Sequence, residues 1–130
     1  MILLDTHIWL RWLVNDNPLL HHIINLIETG DAIAVSAISI WEAILLHQRK
    51  RIELPIPLDA WLNAALDGSD VKTLALTAEI ARLAADLPQH HKDPADRFII
   101  ATSIANRTKL ISFDSVFPAY AELNELLIGE

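Results

Sequence analysis

Short apolar runs alternate along the chain with longer stretches in which apolar residues recur every three or four positions. Ile2-Leu3-Leu4 has the pattern of a short buried strand, and residues 6–14 have helical spacing. Pro18 opens a second helix whose Leu19, Leu20, Ile23, Ile24 and Ile27 share a face, and Gly30 stops it. Residues 32–35 form a second strand, after which Ser36 or Ser39 starts a helix reaching about Arg51. Pro55 and Pro57 mark a loop, and Trp61, Leu62, Ala65 and Leu66 make a short helix ending at Gly68. A third strand is expected over 71–76, and Thr77 caps a helix over 78–87 that Pro88 breaks. Asp93-Pro94 opens another helix, with proline in the first helical position where its missing N–H costs nothing. Residues 110–113 form a fourth strand, and the C-terminal end is expected to be helical. Apolar strands alternating with amphipathic helices predict an α/β fold: a central parallel sheet of four or five short strands with helices on both faces. No repeat or linker interrupts it, so residues 1–130 are read as a single domain.

Composition narrows the function classes. Hydrophobic residues make up 52% and charged ones 21%, enough apolar material for a compact core and too little charge for a disordered chain. The absence of cysteine excludes disulfides, thiolate metal sites and a thiol nucleophile, and suits the reducing cytoplasm. No basic leader precedes Ile2, and no run approaches the ~18 apolar residues of a membrane span. A net charge of −7 argues against a general nucleic-acid binder. Positive charge gathers at Arg49-Lys50-Arg51 and around His90-His91-Lys92. Such runs are either solvated helix ends or a phosphate-facing rim around an acidic centre.

The acids are placed where an α/β fold builds its sites, at the carboxyl ends of the strands. Asp5 ends the first strand and Asp114 the last, Glu42 lies early in the helix after the second strand, and Asp93 and Asp96 head a later helix. Each has a structural explanation of its own. Asp5 can cap a helix, Ser39-Ile40-Trp41-Glu42 matches a capping box, Asp93-Pro94-Ala95-Asp96 resembles a capped helix start, and Asp114 can begin a turn. Together they strain those explanations, because two carboxylates ~5 Å apart repel by roughly 3 kcal/mol at an effective dielectric of 20. A divalent cation offsets that repulsion, and Mg²⁺ and Mn²⁺ prefer all-oxygen sites.

Several stretches then carry a resemblance. Leu3-Leu4-Asp5-Thr6-His7-Ile8-Trp9, Ser36-Ala37-Ile38-Ser39-Ile40-Trp41-Glu42, the segment from His91 to Thr102 and Leu110-Ile111-Ser112-Phe113-Asp114 resemble the PIN-domain family, in particular its VapC-type toxins. The resemblance spans nearly the whole chain with the motifs in family order. It implies an acidic quartet of Asp5, Glu42, Asp96 and Asp114 that holds one or two Mg²⁺ or Mn²⁺ ions and hydrolyses RNA. Asp93 is an extra acid in this variant of the motif. Ser112 stands where many relatives have threonine, and Thr6, Ser39 and Ser112 offer hydroxyls to substrate or metal-bound water. Arg97 is open to two readings, a phosphate contact or a salt bridge to a neighbouring acid. The resemblance further implies a cognate antitoxin partner and a homodimer.

Rival chemistries fit less well. There is no Asp-x-Asp after the first strand, no lysine closing a late strand and, with three glycines, no phosphate loop. Neither His21-His22 nor His90-His91 has zinc-ligand spacing, which leaves them surface or capping residues. His7 is placed either to touch substrate or to pack its helix. Trp9, Trp12, Trp41 and Trp61 read as core or as a dimer face. The alternative from another class is a PIN-like module that binds RNA or protein without cutting, which would be expected to carry a broken acidic set.

Overall fold

The computed structural model describes residues 1–14, 18–30 and 32–130. Strands β1 (Ile2–Leu4), β2 (Ile33–Ser36), β3 (Val71–Leu74), β4 (Lys109–Ile111) and β5 (Leu127–Ile128) form one sheet in the order β3-β2-β1-β4-β5. All four pairings are parallel. The helices are α1 (Thr6–Val14), α2 (His21–Thr29), α3 (Ala37–Gln48), α4 (Leu58–Ala65), α5 (Ala78–Asp86) and α6 (Pro94–Asn106).

Alternation along the strands divides the apolar residues between two cores. Leu4, Ile33, Val35 and Ile111 point to one side, where Ile8, Trp9, Ile23 and Trp61 from α1, α2 and α4 cover them. Leu3, Ala34 and Leu110 point to the other, against Ile80, Ala84, Ile99 and Ile100 of α5 and α6 and against Phe117, Tyr120 and Leu123. Trp9 and Trp61 pack ring to ring in the first core at 5.4 Å. Both faces are therefore covered, as the strand pattern predicts.

Some boundaries differ from expectation. The third strand ends at Leu74, because Thr77 already caps α5 through its hydroxyl, which accepts from the Ile80 N–H at 3.2 Å. Helix α2 starts at His21, three residues after Pro18. The C-terminal end is not a continuous helix. Two single 3₁₀ turns, Phe117–Ala119 and Ala121–Leu123, lead into β5, which adds to β4 as the fifth strand. Pro118 lies at the opening of the first of these turns.

The strand order sets the location of the site. From β1 the chain moves outward to β2 and β3, then returns to place β4 on the other side of β1. Connections diverge between β1 and β4, which opens a crevice at the carboxyl ends of these two strands.

Candidate active site

Leu4 is in register with Ile111, so Asp5 and Ser112 emerge side by side from the carboxyl ends of β1 and β4. The Asp5 N–H donates to the Ile111 carbonyl at 3.0 Å, and Ser112 Oγ donates to Asp5 Oδ2 at 2.6 Å. The other oxygen, Oδ1, accepts from the Thr6 N–H at 2.8 Å. Asp5 does sit at a helix start, yet it is buried and tied to a strand over a hundred residues away.

Thr6 links this centre to α3. Its Oγ1 lies 2.8 Å from Ser39 Oγ and 2.5 Å from Glu42 Oε1. A hydroxyl has one proton, so Thr6 donates to the carboxylate and Ser39 is left to donate to Thr6. The capping-box reading of Ser39 and Glu42 therefore fails. Ser36 is the cap of α3, its Oγ accepting from the Ile38 N–H at 3.1 Å, while Ser39 is buried inside the helix and faces Thr6.

The head of α6 supplies the remaining acids. Asp93 is its cap, accepting from the Ala95 N–H at 2.9 Å, and Asp96 lies in the first turn. Asp114 turns the chain after β4 by accepting from the Val116 N–H at 2.8 Å. Between Asp96 and Asp114 lies the imidazole of His91, its Nε2 2.9 Å from Asp96 Oδ2 and 3.0 Å from Asp114 Oδ2. Ligand atoms of Glu42, Asp93 and Asp96 lie within 4.8 Å of one another, as do those of His91, Asp96 and Asp114. Asp96 belongs to both groups.

The charges are frustrated. Burial, followed by the charges of Asp5 and Asp93, pushes Asp96 up to about 7 despite the opposing pull of His91. Burial also raises Glu42; the Thr6 hydrogen bond opposes this, and Asp5 and Asp93 add to it. For Asp114 burial works against ionisation, but the His91 and Val116 hydrogen bonds prevail and hold it below the usual carboxylate range. Burial likewise works against a charged His91, and the surrounding carboxylates outweigh it and push the imidazole up. The Asp93 N–H pulls the other way, since it donates to His91 Nδ1 at 3.3 Å and needs that nitrogen unprotonated. A crowded set of hard oxygen donors, one of them reluctant to ionise, fits Mg²⁺ or Mn²⁺.

A family model for the PIN domain matches residues 2–123. The chain belongs to the PIN-domain family. It is 36% identical over 114 residues to Ribonuclease VapC22 of Mycobacterium tuberculosis, covering 87% of this chain and 86% of that protein. In fold it is similar to VapBC2 from Rickettsia felis bound to a promoter DNA fragment, with TM-score 0.72 at 18% identity over 99% of this chain and 98% of that one. A toxin–antitoxin complex from Klebsiella pneumoniae has TM-score 0.67 at 18% identity, covering 98% and 96%.

Within this PIN domain, Arg97 has neither of the roles open to it in the sequence. It is buried and donates to the carbonyls of Ala84, Leu87 and Pro88 at 2.8–2.9 Å, with longer bonds to those of Ala85 and His91 at 3.4 Å. The guanidinium thus closes the carboxyl end of α5 and ties the 88–91 loop to the head of α6. His91 was missed as a site residue because its partners are 5 and 23 positions away and it meets them as a hydrogen-bonding group. His7 packs its helix against Phe113, just past β4, and also faces the acids: its Nε2 accepts from the Phe113 N–H at 3.1 Å, leaving Nδ1 to face Asp5 Oδ2 at 3.3 Å. Trp41 is 52% exposed and is not core. It lines an open groove of about 380 Å³ with Leu45, Arg49, Ala95 and the site acids Glu42 and Asp93. The basic run therefore begins beside the acidic cleft.

Proposed function

We propose that this chain is a metal-dependent endoribonuclease that acts as one domain over residues 1–130, in the cytoplasm, as the toxin of a toxin–antitoxin pair. Its most direct support is the convergence of Asp5, Glu42, Asp93, Asp96 and Asp114 at the crevice between β1 and β4, with Asp96 pushed up to about 7 by burial and by the charges of Asp5 and Asp93. The relative at 36% identity is a ribonuclease, and the structural neighbours are toxin–antitoxin assemblies.

In this reading Asp5, Glu42, Asp96 and Asp114 hold Mg²⁺ or Mn²⁺, one ion or two, with Asp93 beside them. A cation held by these residues would supply Lewis-acid chemistry, activating water and offsetting charge on the phosphate and leaving oxygen. The chain's own groups orient the acids. Ser112 and His7 turn Asp5. The Ser39–Thr6 pair aims Glu42. Arg49, at the mouth of the groove, offers charge to the backbone of the RNA substrate. The same acidic cleft and groove suit the basic and apolar residues of an antitoxin, and a second copy of this chain completes a homodimer.

A non-cutting module would not need an intact acid set. The test is cleavage of single-stranded RNA in Mn²⁺. Cleavage should vanish in EDTA and fall a hundredfold or more in Asp96→Asn, while Glu79→Gln, at an exposed position of α5, cuts like the parent. RNA that is bound and left whole in Mn²⁺ would favour the non-catalytic module; cutting that survives chelation would exclude the metal.

A further inference from the structure

Two histidines border the cleft, and they follow one pattern. Each ring gives one nitrogen to a backbone N–H from an acid-bearing segment and turns the other toward the acids. His7 accepts from Phe113 N–H at Nε2 and faces Asp5 with Nδ1. His91 accepts from Asp93 N–H at Nδ1 and faces Asp96 and Asp114 with Nε2. The second arrangement is the tighter one at the carboxylates, at 2.9 and 3.0 Å, and its ring is largely enclosed.

The tautomer decides what such a ring can do. A nitrogen that accepts a backbone N–H has its lone pair outward and carries no proton, so in neutral His91 the proton is on Nε2. A nitrogen that carries a proton cannot ligate a metal. Ligation through Nε2 would move the proton to Nδ1 and set two N–H groups against each other at 3.3 Å. The His91–Asp96–Asp114 triad has the spacing of a ligand set, and its hydrogen bonding assigns it otherwise.

We propose that His91 is a positioning residue: its Nε2–H, fixed by the Asp93 N–H, holds Oδ2 of Asp96 and Oδ2 of Asp114 together so that the cleft is formed before a cation arrives. This rests on the metal-dependent reading above. The two acids come from different places, Asp96 from α6 and Asp114 from the turn after β4, and their charges drive them apart. A donor shared between them offsets part of that repulsion and leaves Asp96 Oδ1 outside this hydrogen bond. Partners of this kind, one bond behind the ligands, are worth about 10–100-fold in metal affinity. Phe117 packs edge-on against the ring at 5.9 Å, and the Tyr120 hydroxyl accepts from the His91 N–H at 2.8 Å, so ring and backbone are both held.

The experiment is Mn²⁺ binding, followed by electron paramagnetic resonance, on the parent, His91→Ala and His91→Gln, with exposed His90→Ala as control. The amide nitrogen of glutamine occupies nearly the place of Nε2 and restores an N–H without a ligating ring. His91→Ala should weaken Mn²⁺ binding about tenfold or more. His91→Gln should recover most of the loss, and Mn²⁺ bound to the parent should show no directly ligated nitrogen in electron spin-echo modulation. Unchanged or tighter binding in His91→Ala, a glutamine variant no better than alanine, or a ligated nitrogen in the parent would each overturn the proposal. A parent that takes up no Mn²⁺ at all fails at an earlier point, contradicting the metal reading and the proposal with it. Should His91→Ala not fold, the glutamine variant and the nitrogen signal decide.

Discussion

Helices α5 and α6 pack against each other and begin alike, yet only one carries chemistry. Each has a side-chain cap, Thr77 on the Ile80 N–H and Asp93 on the Ala95 N–H. Each has an acid in its first turn, Glu79 or Asp96, and an arginine further along, Arg82 or Arg97. Glu79 is exposed, and Arg82 pairs at the surface with Asp86 one turn on, at 2.9 Å. Asp96 has only 16% of its side chain exposed, and Arg97 is buried among carbonyls. The difference is topological. Helix α5 follows the edge strand β3, two strands from Asp5, whereas the head of α6 meets the crevice between β1 and β4. A cap and an acid therefore mark a helix start. Convergence with acids from other elements marks a site.

The largest effect that sharpens the contrast concerns the arginines. Arg97→Met should cost about 3 kcal/mol in urea unfolding, because several buried carbonyls lose a charged donor at once. Arg82→Met should leave the midpoint where it is, as expected of an exposed pair. Equal losses in the two would mean that the buried fan of bonds adds nothing.

A smaller effect separates the acids by pH. Asp96 ordinarily ionises near 3.8 and here near 7, so between those values the folded chain binds more protons than the unfolded one. Its contribution is therefore greatest at the low end of that window and is lost as pH rises through it. Glu42, also raised, acts with the same sign. Metal-free stability followed from pH 4 to 7 should fall in the parent and in Glu79→Gln and should fall less steeply in Asp96→Asn. Parallel curves would mean that Asp96 is not raised in the folded chain.

How much of this was legible follows from the range of each interaction. The first four strands and the acids at their ends could be read, because strand pattern and strand end are local and the parallel topology then gathers the ends at one edge. The fifth strand could not, since Leu127–Ile128 is two residues long and sets up no alternation. Ser39 looked like a cap because its spacing to Glu42 is right; only the fold reveals that Ser36 caps and that Ser39 meets Thr6, 33 positions away. Arg97 gave no signal, as its partners are backbone carbonyls at the end of α5 that carry no side-chain signature. His91 carries no zinc-ligand spacing, and its role as the donor that bridges Asp96 and Asp114 depends on contacts 5 and 23 positions away that only the fold creates.

The central claim, that these carboxylates converge to hold a cation, is tested most directly by thermal unfolding during a Mn²⁺ titration of the parent, Glu79→Gln and Asp96→Asn. A ion bound only by the folded chain raises the melting temperature progressively with its concentration. The parent and Glu79→Gln should rise together, and Asp96→Asn should stay at its metal-free value over the same range. A rise in Asp96→Asn equal to that of the parent would place the metal elsewhere and contradict the account.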